Sequence, residues 1–111
     1  SQSLWCIPWP CIHEFVAIVT HPRIYSPPTP TDLALQAVDG LRRSTTLRLI
    51  SELEGYWQVL REVIQQSLVQ GPRIHDARIA ALCLQHGVKT IWTADRDFSR
   101  FPSLRVDNPL S

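Results

Sequence analysis

One stretch of this sequence leaves few folds open. It is an amphipathic run from His75 to His86, a glycine at position 87, and then Val88-Lys-Thr-Ile-Trp-Thr93. Ile79, Ala80, Leu82 and Cys83 recur at three- and four-residue steps, which puts them on one face of a helix. Gly87 is the expected stop, because glycine adopts the left-handed conformation that ends helices. Five of the six residues after it, all but Lys89, are apolar or β-branched, and the run reads as a buried strand. A helix that feeds a buried strand through so short a turn belongs to a parallel sheet covered by helices.

The rest of the chain repeats that alternation. Ser1 to Pro8 holds a short apolar run consistent with a strand that ends at proline. From Pro10 to about Thr20, Ile12, Phe15, Val16 and Val19 mark a helix, and Pro22 stops it. Tyr25 to Pro30 is a rigid, proline-rich connector. Thr31 then reads as an N-cap, followed by Asp32 in the first turn and an apolar face of Leu33, Ala34, Ala37, Val38 and Leu41. Leu47 to Ile50 is a short strand. A second long amphipathic helix, from about Gly55 to Gln70, carries Trp57, Leu60, Val63, Ile64 and Leu68, and Gly71-Pro72 breaks it. Phe98, Phe101 and Leu104 fall in a short closing segment that ends near Pro109. The pattern predicts an α/β fold with a small, mostly parallel sheet flanked by helices.

Composition narrows the class. At 111 residues, with 44% hydrophobic and 19% charged residues, the chain fits one globular domain and not a disordered segment. No apolar run reaches the roughly 18 to 20 residues needed to span a bilayer. Ser1 to Cys11 is interrupted by Pro8 and Pro10 and lacks a basic flank, so it makes a poor signal peptide and a cytoplasmic location is expected. Cys6, Cys11 and Cys83 are odd in number and form no C-x-x-C pair, which points to ordinary thiols instead of a disulfide framework or zinc knuckle. The net charge of +1 carries no global nucleic-acid signature. Lys89 is the only lysine, and all other basic residues are arginines. That bias fits phosphate recognition or simply a GC-rich genome.

Three carboxylates are brought to one edge by this element order. Asp95 falls just past the carboxyl end of the strand Val88 to Thr93, where open parallel sheets bind ligands. Asp76 opens the helix that feeds the strand. Glu14 follows a strand that ends near Pro8. Carboxylates gathered in one crevice raise each other's pKa unless a cation neutralises them. An oxygen-only ligand set favours magnesium or manganese, which can activate water against a phosphodiester. Asp97 is a fourth acid or a supporting one. Taken singly, Glu14 reads as a solvated helix residue, Asp76 as an acid favoured by the helix macrodipole, and Asp95 and Asp97 as turn formers. Only the shared edge points to a metal site.

The residues from Ile74 to Phe101 resemble the carboxyl-terminal signature of PIN-domain ribonucleases, the VapC-type toxins of type II toxin–antitoxin systems. The signature is an acid opening a helix, a glycine turn, a strand, and then Thr93-Ala-Asp95-Arg-Asp97-Phe98. Pro10-Cys-Ile-His-Glu14-Phe is similar to the family's helix bearing its second acid. Thr20-His-Pro22-Arg and the ending Asp107-Asn-Pro-Leu match one VapC subgroup. The resemblance implies a three-layer PIN-like fold and a metal-dependent endoribonuclease using Mg2+ or Mn2+. It implies Glu14, Asp76 and Asp95 as catalytic metal ligands, Asp97 as a further metal-site acid, and Thr93 as an auxiliary hydroxyl. It also implies a VapB-like antitoxin as partner and a homodimer.

PIN domains open with a strand that carries an aspartate, and this chain has no acid before Glu14. The expectation is therefore one incomplete PIN-like domain over residues 1–111, with the first strand missing. A degenerate version that binds antitoxin or RNA without cleavage stays open, as does an unrelated α/β interaction module. Arg78, Arg96 and Arg100 are near the rim and are candidates for RNA phosphates, against a plain solvated role. His13 and His75 each precede an acid and read as exposed helix-start residues more readily than as ligands. Trp5, Trp9, Trp57 and Trp92 read as core or dimer surface. The helix Thr31 to Leu41 has an apolar face that a partner helix or second protomer could cover.

Overall fold

The computed structural model describes residues 5–24 and 26–88, and the strand backbone at 90–92 and 105–107. The chain forms two compact units that divide after Ile50.

In the first unit, β1 (Trp5–Pro8) pairs in parallel with β2 (Leu47–Ile50), in the register Trp5 to Leu47 and Pro8 to Ile50. Parallel strands need a long crossover, and α1 (Trp9–Val19) and α2 (Thr31–Arg42) provide it. Pro8 is at once the last strand residue and the N-cap of α1. Pro10, in the helix's first turn, costs no hydrogen bond because a first-turn N–H would have no partner in the helix. At the other end the Thr20 hydroxyl donates to the Val16 carbonyl at 2.7 Å. The Thr29 N–H then donates to the Val19 carbonyl at 2.8 Å, folding the connector back on the helix end.

Two expectations for α2 need correcting. Thr31 is the first helical residue and Pro30 is the cap. The Pro30 carbonyl already accepts from the Leu33 and Ala34 N–H groups, at 3.0 and 3.1 Å, so the helix begins one residue earlier. The buried stripe is also narrower than the apolar pattern suggested. Ala34 and Val38 are buried, while Leu33 and Leu41 are 54% and 38% exposed.

In the second unit, α3 (Tyr56–Ser67) packs on α4 (Ile74–Gln85). A 3-10 turn at Gly71–Arg73 leads into α4. Their core gathers Val63, Val69, Ala77, Ala80, Ala81 and Cys83, with Leu82 also fully buried. Alanines at the contact let the helix backbones approach closely. α3 ends at Ser67, three residues before the expected end, and Trp57 on the helix and Leu68 just after it are 62% and 83% exposed. The physical reason for Leu68 is its left-handed backbone, φ 58°, which ends the helix and turns the side chain away.

Gly87 behaves as predicted. With φ 73°, it allows the Gly87 N–H to bond the Leu84 carbonyl at 3.1 Å and the Val88 N–H to bond the Cys83 carbonyl at 2.8 Å. These two bonds form a Schellman motif, which satisfies the last carbonyls of α4. The described part of the next strand, β3, is Thr90–Trp92; Lys89 and Thr93 of the expected strand lie outside the described residues. β3 pairs in parallel with β4 (Arg105–Asp107), which falls within the expected closing segment. The α/β class and the parallel pairing are as expected. Among the described residues, no helix is long and apolar enough to cross a membrane.

Candidate functional site

The expected acids divide between the two units. Glu14 lies in the second turn of α1, which starts directly where β1 ends, and its side chain is exposed. Its charge is felt one turn back: burial first, and the Glu14 carboxylate second, push the Cys11 thiol above its ordinary range. His13 is exposed and stands against Trp9, with ring centroids 6.2 Å apart. That contact favours the plain surface reading of His13.

Asp76 is the third residue of α4, in its first turn, and is half-buried. An acid in the first turn of a helix lies where the helix dipole favours negative charge. The helix that carries it is anchored by four consecutive buried residues, Ala80 to Cys83, and closed by the Gly87 motif. Thr93, Asp95, Arg96, Asp97 and Arg100 lie outside the described residues; β3 ends at Trp92, directly before them. Among the described residues, no group of three or more His, Cys, Asp or Glu could hold a metal ion.

Arg78 is half-buried on α4. It is two residues beyond Asp76, and two helical steps turn through about 200°, so the two side chains leave α4 on nearly opposite sides. Arg78 faces Glu52 instead, with Nη2 3.7 Å from the carboxylate and both side chains nearly half exposed.

Sequence reasoning missed what surrounds that pair. The Gln85 side-chain amide spans residues 53 and 54: its oxygen accepts from the Leu53 N–H at 3.0 Å. Its nitrogen donates to the Leu53 and Glu54 carbonyls at 3.2 and 3.1 Å. His86 Nε2 lies 2.8 Å from the Ser51 carbonyl, which can only accept, so the ring donates. Tyr56 packs on the helix core, and its hydroxyl is buried with no hydrogen-bond partner among the described residues. Burial raises the Tyr56 pKa most; the Arg78 charge lowers it and the Glu52 charge raises it. The only sequence signal was two polar residues at a helix end, which alone does not say what they hold.

Comparison with known proteins adds the context. The PIN domain family model matches residues 2–104. The chain is 32% identical over 103 residues to Ribonuclease VapC48 of Mycobacterium tuberculosis, covering 93% of this chain and 71% of that protein. It is 34% identical over 96 residues to VapC ribonuclease Mb2897 of Mycobacterium bovis, covering 86% of this chain and 65% of that protein. Ribonuclease VapC43 of Mycobacterium tuberculosis matches to the same extent.

Proposed function

Because this chain belongs to the PIN domain family, we propose that it is a metal-dependent endoribonuclease, the toxin of a toxin–antitoxin pair. The observation that carries the reading is Asp76, a half-buried carboxylate in the first turn of a helix that a glycine motif closes before β3. That order of acid, helix, glycine and strand is the one on which the family resemblance rests.

Glu14, Asp76 and Asp95 are assigned as the catalytic metal ligands, with Asp97 as a further acid of the metal site and Thr93 as the hydroxyl beside it. The donor set fits magnesium or manganese, since every ligand is a carboxylate oxygen and neither thiol nor imidazole takes part. A bound ion of this kind polarises a phosphodiester and lowers the pKa of water. The chain's own part is to hold the acids. The start of α4 places Asp76 where the helix dipole favours negative charge, and Glu14 is exposed on α1. Arg96 and Arg100 are the arginines assigned to RNA phosphates. Arg78 is the third, and it would exchange Glu52 for a phosphate. A VapB-like antitoxin, a homodimer and a cytoplasmic location complete the proposal.

Incubation with single-stranded RNA and manganese tests it. Cleavage that stops with EDTA and is lost in Asp76→Asn is the expected result. Cleavage that survives EDTA would refute metal dependence. RNA binding without any cleavage would favour the binding-only reading.

A further inference from the structure

Residues 51–54 are tied to α4 almost entirely by side chains. Gln85 bonds three backbone groups of Leu53 and Glu54, His86 bonds the Ser51 carbonyl, and Arg78 faces Glu52. All four residues of the segment are exposed, in contrast to the Ala80–Cys83 core of the same helix. Exposed hydrogen bonds and a half-exposed ion pair each contribute little, so the segment belongs to the weak end of the local-stability range. Beside it, the buried Tyr56 hydroxyl lacks a partner among the described residues, and a buried unpaired polar group carries a cost that water would relieve.

We propose that residues 51–54 form a strap that opens from α4 as a unit while the helices beneath it stay folded. The closed state is poised by the unpaired Tyr56 hydroxyl, and opening releases the Arg78 guanidinium from Glu52. The two states differ in a few named bonds and not in the core. The claim stands whether or not the chain cleaves RNA.

Native-state hydrogen exchange resolved at single amides tests this, because the Leu53 N–H donates to the Gln85 side chain itself. In the unaltered chain the Leu53 amide is expected to exchange at least about 100-fold faster than the amides of Ala81 and Leu82, the difference between local and global opening. Gln85→Ala should raise the Leu53 rate about fivefold or more and leave Ala81 and Leu82 unchanged. Tyr56→Phe, which removes the hydroxyl and keeps the ring, should slow Leu53 exchange about fivefold. Leu53 exchange as slow as Ala81, or equal acceleration of both in Gln85→Ala, would overturn the strap. An unchanged or faster Leu53 rate in Tyr56→Phe would overturn the poising by the hydroxyl.

Discussion

The helix pair of each unit solves the same packing problem with different material. In the first unit, α2 buries only Ala34 and Val38 and leaves Leu33, Leu35 and Leu41 exposed. In the second, α4 buries Ala77 and then Ala80, Ala81, Leu82 and Cys83 without a gap. A stripe of small residues allows close helix approach, and close approach makes every added or removed atom felt. The lesson is one of division of labour. The densely packed helix carries Asp76 on a rigid base, whereas Glu14 sits on a helix that buries a single residue, Ile12.

The largest expected effect is in the α4 core. Leu82→Ala should destabilise the chain by about 2–5 kcal/mol, the range for emptying a packed site. Leu33→Ala on the exposed side of α2 should change stability by only about 0.5 kcal/mol. Urea denaturation measures both, and similar losses at the two sites would erase the contrast.

Glycines sharpen it in sign. Gly87 has φ 73° and closes α4, while Gly40 lies inside α2 with nothing within 4 Å of an added Cβ. Gly87→Ala should cost about 1 kcal/mol, and Gly40→Ala should stabilise by about 0.5–1 kcal/mol through helix propensity. Thermal melts giving the same sign for both would contradict the cap described for α4.

A smaller effect is expected in alkali. Burial, aided by Glu14, raises the Cys11 pKa above its ordinary value of 9.0. The unfolded chain therefore loses this proton first as pH rises. The neutral-thiol contribution is intact below pH 9.0 and is lost as pH climbs through the higher folded-state value. Cys11→Ser should flatten the fall in stability above that point, read from unfolding midpoints across alkaline buffers. An unchanged slope would remove Cys11 as its source.

Much of this organisation was legible in the sequence, where the signal was local. Leu47 to Ile50 was read as the strand it is, and Gly87 stopped the helix because a left-handed backbone was needed at that point. Local reading failed where neighbours decided the outcome. Thr31 lost its capping role to Pro30, whose carbonyl was already committed to the helix. Spacing left Trp57 as core or dimer surface; it is 62% exposed, because the inward side of α3 is taken by Val63 and its neighbours. The contacts of Gln85 and His86 join residues 31 to 35 positions apart, a distance that no periodicity spans. Of the expected acids, Asp76 was placed at its helix start from sequence; Asp95 and Asp97 lie outside the described residues.

Manganese binding by titration calorimetry tests the central claim most directly, on this chain and on a Glu14→Gln, Asp76→Asn, Asp95→Asn triple variant. The account predicts saturable binding that disappears in the triple variant while its fold, followed by circular dichroism, is retained. Equal binding by both folded proteins, or binding by neither, would contradict it.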